Sequence, residues 1–196
     1  LSPVMKEKAA GAHYGDSMVV TFAGTDSDQV PFLSVEATAG GWGAYYNGDG
    51  PSALINHVSG DFKNLPIEVF ESKYPIKINQ YALRTDSGGK GEYRGGLGVI
   101  REYEILGDDT TVSLWFERSK TPAWGLFGGE AGAKPEIEIK SNNGESEYLL
   151  KVNGKRIKKG DIVTVKTGGG GGFGYYNERS KEDSAYDLEK GFISKQ

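Results

Sequence analysis

Residues 160–175 read GDIVTVKTGGGGGFGY, a run that alternates apolar and polar side chains and passes directly into five consecutive glycines, with a sixth one residue later. Alternation with period two belongs to a strand with one buried face. A glycine run has two readings: a loop whose bare N–H groups approach an anion, or backbone packed closely against backbone or a ligand. A Walker loop places Lys and then Ser or Thr directly after its last glycine and enters a helix, whereas Phe173, Gly174 and Tyr175 follow here. A dinucleotide fingerprint opens an apolar helix, yet 176–182 is the polar run YNERSKE. The flanks point away from a nucleotide loop.

The same strand signature recurs outward from this stretch, at 16–24 (DSMVVTFAG), 75–85, 97–106, 110–118, 135–141 and 146–152. These runs end at Gly, Asn or Asp, and most alternate as half-buried strands should. Asn142, Asn143 and Gly144 predict a hairpin turn, and Asn153-Gly154 predicts a second one suited to positive φ. A small antiparallel sheet over 135–168 follows. Two segments carry helical signals: 64–72 (NLPIEVFES), with Pro66 near its start, and 181–190 (KEDSAYDLEK), with acids early and Gly191 just beyond. The fold class is β-rich α+β: mostly antiparallel strands with Gly-rich turns, a C-terminal β-hairpin region and one or two short helices. The weakest seam divides a Gly-rich β body, 1–133, from a region of hairpins, Gly-rich motif and C-terminal helix, 134–196, the two being expected to form one continuous structural unit.

Composition narrows the function. With 196 residues the chain can bury one sizeable core. The balance of 23 Lys and Arg against 27 Asp and Glu, interspersed along the chain, gives a net charge of -4 and argues against nucleic acid as a partner. No apolar run approaches the roughly 20 residues that span a bilayer, so no membrane partner is expected and the cytoplasm is the default compartment. Cysteine is absent, which removes disulfides and thiol nucleophiles. A first residue of Leu1 leads to the expectation of a processed, truncated or partial product.

The 30 glycines, about twice the usual share, gather in clusters at 39–43, 87–98, 125–132 and 167–174. Each cluster taken singly reads as tight turns; together they suggest a shaped crevice or a large packing interface. Glu36, Asp49, His57, Asp61, Asn64, Glu68 and Glu71 crowd into one stretch, but only His13 and His57 are available as imidazoles and neither HxH nor HExxH occurs. Glu68 and Glu71, three apart, share a face if their segment is helical, either as an acid and base pair or as a solvated face. Arg94 and Arg118 stand at the mouths of Gly-rich turns, where a guanidinium either binds a carboxylate or phosphate or forms a structural ion pair.

The order of the clusters carries more. EATAGGWGAYYNGDG from residue 36, NLPIEVFESKYP from 64, YALRTDSGGKGEYRGGLGVIREYEI from 81, ERSKTPAWGLFGG from 117, GDIVTVKTGGGGGFGYYNER from 160 and GFIS from 191 together resemble the C-terminal part of the hydantoinase B/oxoprolinase family. That family holds the B-type subunits or regions of ATP-dependent 5-oxoprolinases and N-methylhydantoinases, and a large subunit of acetone and acetophenone carboxylases. The resemblance implies a complex with an A-type subunit that binds ATP with Mg and phosphorylates the substrate's carbonyl or enol oxygen. It also implies a cyclic amide or ketone as substrate, and a chain inactive by itself.

A typical B-type subunit is longer, and its His- and Asp-rich metal motifs lie in an N-terminal part that these residues do not match. The resemblance therefore implies an N-terminal B part as partner, carrying a divalent metal, with no cofactor and no metal bound by this chain. A proteolytic or naturally split C-terminal piece and a separate gene for this half both remain open. By the same resemblance Glu68, Glu71, Arg94 and Arg118 are candidates for catalysis, and Glu36, Asn64 and Asp86 for lining a substrate crevice. His57 lies between the matched motifs and is carried as a further crevice candidate.

Overall fold

The structure is a computed structural model, and it describes residues 2–15, 18–56, 59 and 63–195. Strands form where apolar side chains fall on alternate positions: β1 (Val19–Thr25), β2 (Pro31–Ala37), β3 (Ile76–Leu83), β4 (Val99–Ile105), β5 (Asp109–Trp115), β6 (Glu136–Lys140), β7 (Ser146–Leu149), β8 (Val152–Ile157) and β9 (Ile162–Lys166). They make two antiparallel sheets, one in the order β2-β1-β5-β8 and the other β3-β4-β9-β6-β7. One core serves both. Val20 and Phe22 of β1 and Val112 and Leu114 of β5 pack with Tyr103 and Ile105 of β4 and Val163 and Val165 of β9. Phe22 and Tyr103 meet edge to face across it, with centroids 5.0 Å apart.

Among the described residues three short α-helices complete this strand-rich α+β body: α1 (Ser2–Met5), α2 (Ile67–Lys73) and α3 (Lys181–Glu189). α2 holds to the body through Phe70, its one buried residue, and burial of such a ring contributes about 2 kcal/mol. Ser180 caps α3 by accepting the Asp183 N–H at 2.9 Å, and Gly191 follows the helix at φ +71°. Among the described residues no helix is long and apolar enough to cross a membrane.

Two sequence expectations need correction. Asn153 and Gly154 do not turn the chain; they lie inside β8 and oppose the single residue Ser113 of β5, which makes a β-bulge. Gly154 takes φ +59°, and Ser113 Oγ accepts its N–H at 2.8 Å while donating to Asn153 Oδ1 at 3.1 Å. The backbone demand that suggested a turn was read correctly, but it serves a bulge. Consequently 135–168 is not one small sheet, because β8 leaves β6, β7 and β9 to pair with β5.

The glycine run is the hub on which the other clusters close. An added Cβ would stand 1.7 Å from the Ser87 carbonyl oxygen at Gly169, 1.8 Å from that of Trp42 at Gly170, 2.0 Å from that of Trp124 at Gly171 and 2.2 Å from that of Lys90 at Gly172. Residues 169 and 172 thus face the same neighbouring segment, 87–90, a period of three that suits extended, polyproline-type backbone. None of these four lies at positive φ, so glycine is required here for contact and not for conformation. The N–H groups of Gly169, Gly170, Gly171 and Gly172 donate to the carbonyls of Ala133, Gly96, Ala12 and Glu130, and those of Phe173 and Gly174 to Tyr93 and Leu126. No amide from 169 to 174 is left for a phosphate, so the run is a packing element.

Candidate functional site

β2 was not foreseen as a strand because its phase is reversed: Leu33 and Val35 face outward and are exposed, while Ser34 and Glu36 face inward. The β1–β2 register sets Glu36 beside Val20. Opposite it, β4 presents Val99, Arg101, Tyr103 and Ile105 inward, which places an arginine in the apolar phase of the strand. The two polar intruders pair. Arg101, 2% exposed, donates to Glu36 Oε1 at 3.2 Å and lies 3.1 Å from Oε2.

Rings enclose this pair. The Arg101 guanidinium lies 5.1 Å from the Tyr81 and Tyr103 ring centroids and 5.6 Å from that of Phe70. Asn64 Nδ2 donates to the Tyr81 hydroxyl at 3.1 Å, which joins a second crevice candidate to the set. Burial pushes the Glu36 carboxyl above its ordinary value, and the charge and hydrogen bond of Arg101 offset this only in part. Burial likewise raises the Tyr103 hydroxyl, which has no hydrogen-bond partner among the described residues, as is also true of Arg101 Nε. In front of Glu36 opens a cavity of about 260 Å³ lined by Ser34, Val35, Ala37, Lys63, Leu65 and Tyr74. A desolvated carboxylate facing a cavity, with a fixed cation behind it, can hold a water and accept its proton.

The remaining candidates fall elsewhere. Glu71 accepts the Ile78 N–H at 2.7 Å, satisfying a backbone group at the β3 bulge, while Glu68 is exposed on α2. Asp86 sits at φ +61° and accepts the Ser194 N–H at 2.9 Å, so it holds the C-terminal segment. Arg94 is buried and neutralised: its Nε lies 3.1 Å from Asp187 Oδ2 and its Nη2 3.6 Å from Asp49 Oδ2, while its backbone N–H donates to Asp49 Oδ1 at 2.6 Å. Arg179 completes that network, bidentate on Asp49 at 2.9 and 2.8 Å and 2.7 Å from Asp187. Burial alone would raise the Asp49 carboxyl, but Arg179 and then Arg94 outweigh it and hold the group below its ordinary value. For Arg94, therefore, the ion-pair alternative describes what is seen.

Arg118 behaves differently. Among the described residues it makes no hydrogen bond or ion pair; its guanidinium lies 4.6 Å from the Trp124 ring centroid, beside an open cavity of about 680 Å³. His57 lies outside the described residues. Sequence reasoning passed over Arg101, Arg179 and Asp187, and of these only Arg101 carried a local signal, a charge in the buried phase of VIREYEI. Among the described residues no three His, Asp or Glu side chains converge, so they do not fit a metal ion.

The chain resembles known proteins along most of its length. It is 30% identical over 187 residues to the B-type subunit of a putative D-/L-hydantoinase from a Pseudomonas species, covering 94% of this chain and 31% of that protein. It is 34% identical over 139 residues to the 5-oxoprolinase of Dictyostelium discoideum, covering 71% of this chain and 11% of that protein. An uncharacterized protein of Methanocaldococcus jannaschii is 44% identical over 116 residues, 59% of this chain and 20% of that protein. The chain thus spans at most about a third of these curated relatives.

Two solved structures share the fold. The ATP-dependent caprolactamase of Pseudomonas jessenii matches with a TM-score of 0.86 at 24% identity, covering 98% of this chain and 35% of that one. Nucleotide-free acetone carboxylase matches with a TM-score of 0.82 at 19% identity, covering 95% and 29%. The sequence model of the hydantoinase B/oxoprolinase family matches residues 1–176, a span that holds the glycine hub, the Glu36–Arg101 pair and Arg118. The chain therefore belongs to the hydantoinase B/oxoprolinase family.

Proposed function

We propose that this chain is the C-terminal portion of the B-type subunit of an ATP-dependent cyclic amide hydrolase, with Glu36 as the base that activates water. The observation that carries the reading is the Glu36 carboxylate, desolvated, backed by Arg101 and open on one side to a cavity. Two relatives at 30% identity or more, named as a hydantoinase component and a 5-oxoprolinase, support the choice of hydrolysis. In this reading an A-type partner transfers a phosphoryl group from ATP to the amide oxygen, which makes the ring carbon a better electrophile. Water then adds to that carbon as one of its protons passes to Glu36; the ring nitrogen leaves as it takes up that proton, and a second water hydrolyses the resulting acyl phosphate to the carboxylate and inorganic phosphate. The rest of the B-type polypeptide, including any metal it holds, is required, and this chain by itself is expected to be inactive.

The test uses the assembled complex of this chain, the remaining B part and an A-type subunit, with ADP release and ring opening followed together. Glu36→Gln in a still-assembled complex should lower turnover at least tenfold, as expected when a contact of the transition state is lost (about 1.4 kcal/mol or more). Because the Glu36 carboxyl is raised above 4.5 and acts when ionised, kcat/KM should fall as pH drops through that raised value. Turnover within about threefold of wild type would instead make the chain a noncatalytic scaffold. Product formation that requires bicarbonate and a ketone would assign the complex to the carboxylases.

A further inference from the structure

We infer that the cavity at the end of β5 binds an oxyanion of a small molecule, a carboxylate or a phosphate, with Arg118 as its main contact. The starting point is a cation without a counter-charge among the described residues. Beyond Trp115 the chain buries Phe116, then places Arg118 at φ +50°, a backbone conformation that an arginine adopts only at a cost. Among the described residues nothing repays this with a hydrogen bond or an ion pair to the guanidinium, and Nε is buried and unpartnered.

The side chain is nevertheless held in place. One face of the guanidinium lies over the Trp124 indole at 4.6 Å, and the stem crosses the backbone of Gly15 so closely that a Cβ there would stand 2.1 Å from Nε. Gly15 itself lies at φ +96°. A planar cation stacked on an indole keeps its N–H edge directed outward, the geometry that suits two parallel bonds to a carboxylate or phosphate.

The surroundings agree in charge and size. The cavity is lined by Phe116, Ser119, Lys120, Thr121, Leu150 and Lys151 besides Arg118. Its acidic wall residue, Glu117, lies 3.4 Å from Lys151 Nζ, so that carboxylate already has a cation. Ser119 Oγ donates to the Phe116 carbonyl at 3.0 Å. A volume of about 680 Å³ suits a small organic ligand and not a polymer, in a chain whose net charge is -4. The contrast with Arg94 is internal to the molecule, since that guanidinium, also beside a Gly-rich turn, is neutralised by Asp187 and Asp49. The inference does not depend on Glu36 being a base, and it is tested without turnover.

The experiment titrates this chain with inorganic phosphate and, separately, with glutarate, following the Arg118 Nε–H resonance by NMR and the heat by calorimetry. The resonance is assigned from its loss in Arg118→Lys. Saturable one-to-one binding at or below about 10 mM is expected for at least one anion, weakened by about tenfold in Arg118→Gln and by less in Arg118→Lys, which keeps the charge but not the fork. Binding by only one of the two anions identifies its chemistry. If neither anion shifts the resonance up to about 50 mM in the folded wild type, the inference is wrong. Equal affinity in folded Arg118→Lys and wild type would overturn it as well. Should Arg118→Gln fail to fold, Arg118→Lys carries the comparison alone.

Discussion

Alanine at Gly170 is expected to destabilise the fold severely. Its Cβ would stand 1.8 Å from the Trp42 carbonyl oxygen and 2.2 Å from the carbonyl carbon, and both atoms belong to a backbone that is itself hydrogen-bonded, Trp42 O accepting the Gly96 N–H at 2.7 Å. No side chain can rotate to relieve the contact, so one segment of the hub must move. Overpacking of a side-chain core costs 1–3 kcal/mol, and a backbone clash in the centre of several segments should cost about 3 kcal/mol or more, a large share of the total stability of a domain. The measurement is the guanidinium chloride midpoint by circular dichroism, with Gly168→Ala as the comparison. At Gly168 the nearest atom, Ala133 O, is 3.3 Å away, and a loss of about 1 kcal/mol or less is expected. Equal midpoints for the two variants would refute close packing as the reason for the glycine run.

The second large effect is expected at Arg179. α3 buries a single residue, Asp187, so the helix is held to the body by charge more than by apolar area. Arg179, with a side chain 3% exposed, joins Asp187 to Asp49. In Arg179→Met the carboxylates keep only Arg94, and breaking a buried pair in this way costs about 3–5 kcal/mol. Hydrogen exchange should show α3 losing its protection while β4 and β9 keep theirs; full protection of α3 in the variant would contradict the assignment. The pH dependence has a definite sign. The Asp49 carboxyl is held below 3.8, so its contribution is present above that value and is lost as pH falls through the lower folded value. Wild-type α3 should therefore be released only in strong acid, and Arg179→Met should remove most of that acid sensitivity.

Much of the sheet structure was legible because alternation reports directly on which face is buried. Seven of the nine strands among the described residues follow from it, and α2 with its Pro66 entry and α3 with its Gly191 stop follow from helix-boundary signals. The misses have a common cause. In β2 the exposed Leu33 and Val35 and the inward Glu36 reverse the usual pattern, because the strand serves a buried ion pair. In β8 the Asn153-Gly154 pair met a positive-φ demand that a bulge and a turn share, and the distant partner Ser113 decided which it was.

The candidate site shows the same division. Residue types and motif order by themselves determined the strand-rich class, the demand for bare glycine backbone and the family resemblance, since these depend on local sterics and on the order of short signals. Tertiary structure alone decided the fate of each charge. Arg94 and Arg118 are alike in sequence, each beside a Gly-rich turn, yet one is neutralised by carboxylates that arrive from residues 49 and 187 and the other faces a cavity. Glu36 owes its raised carboxyl to burial between the sheets and its counter-charge to a β4 arginine across the core. A charge is set by what lies within a few ångströms of it, and those neighbours are brought there by strand pairing between distant parts of the chain.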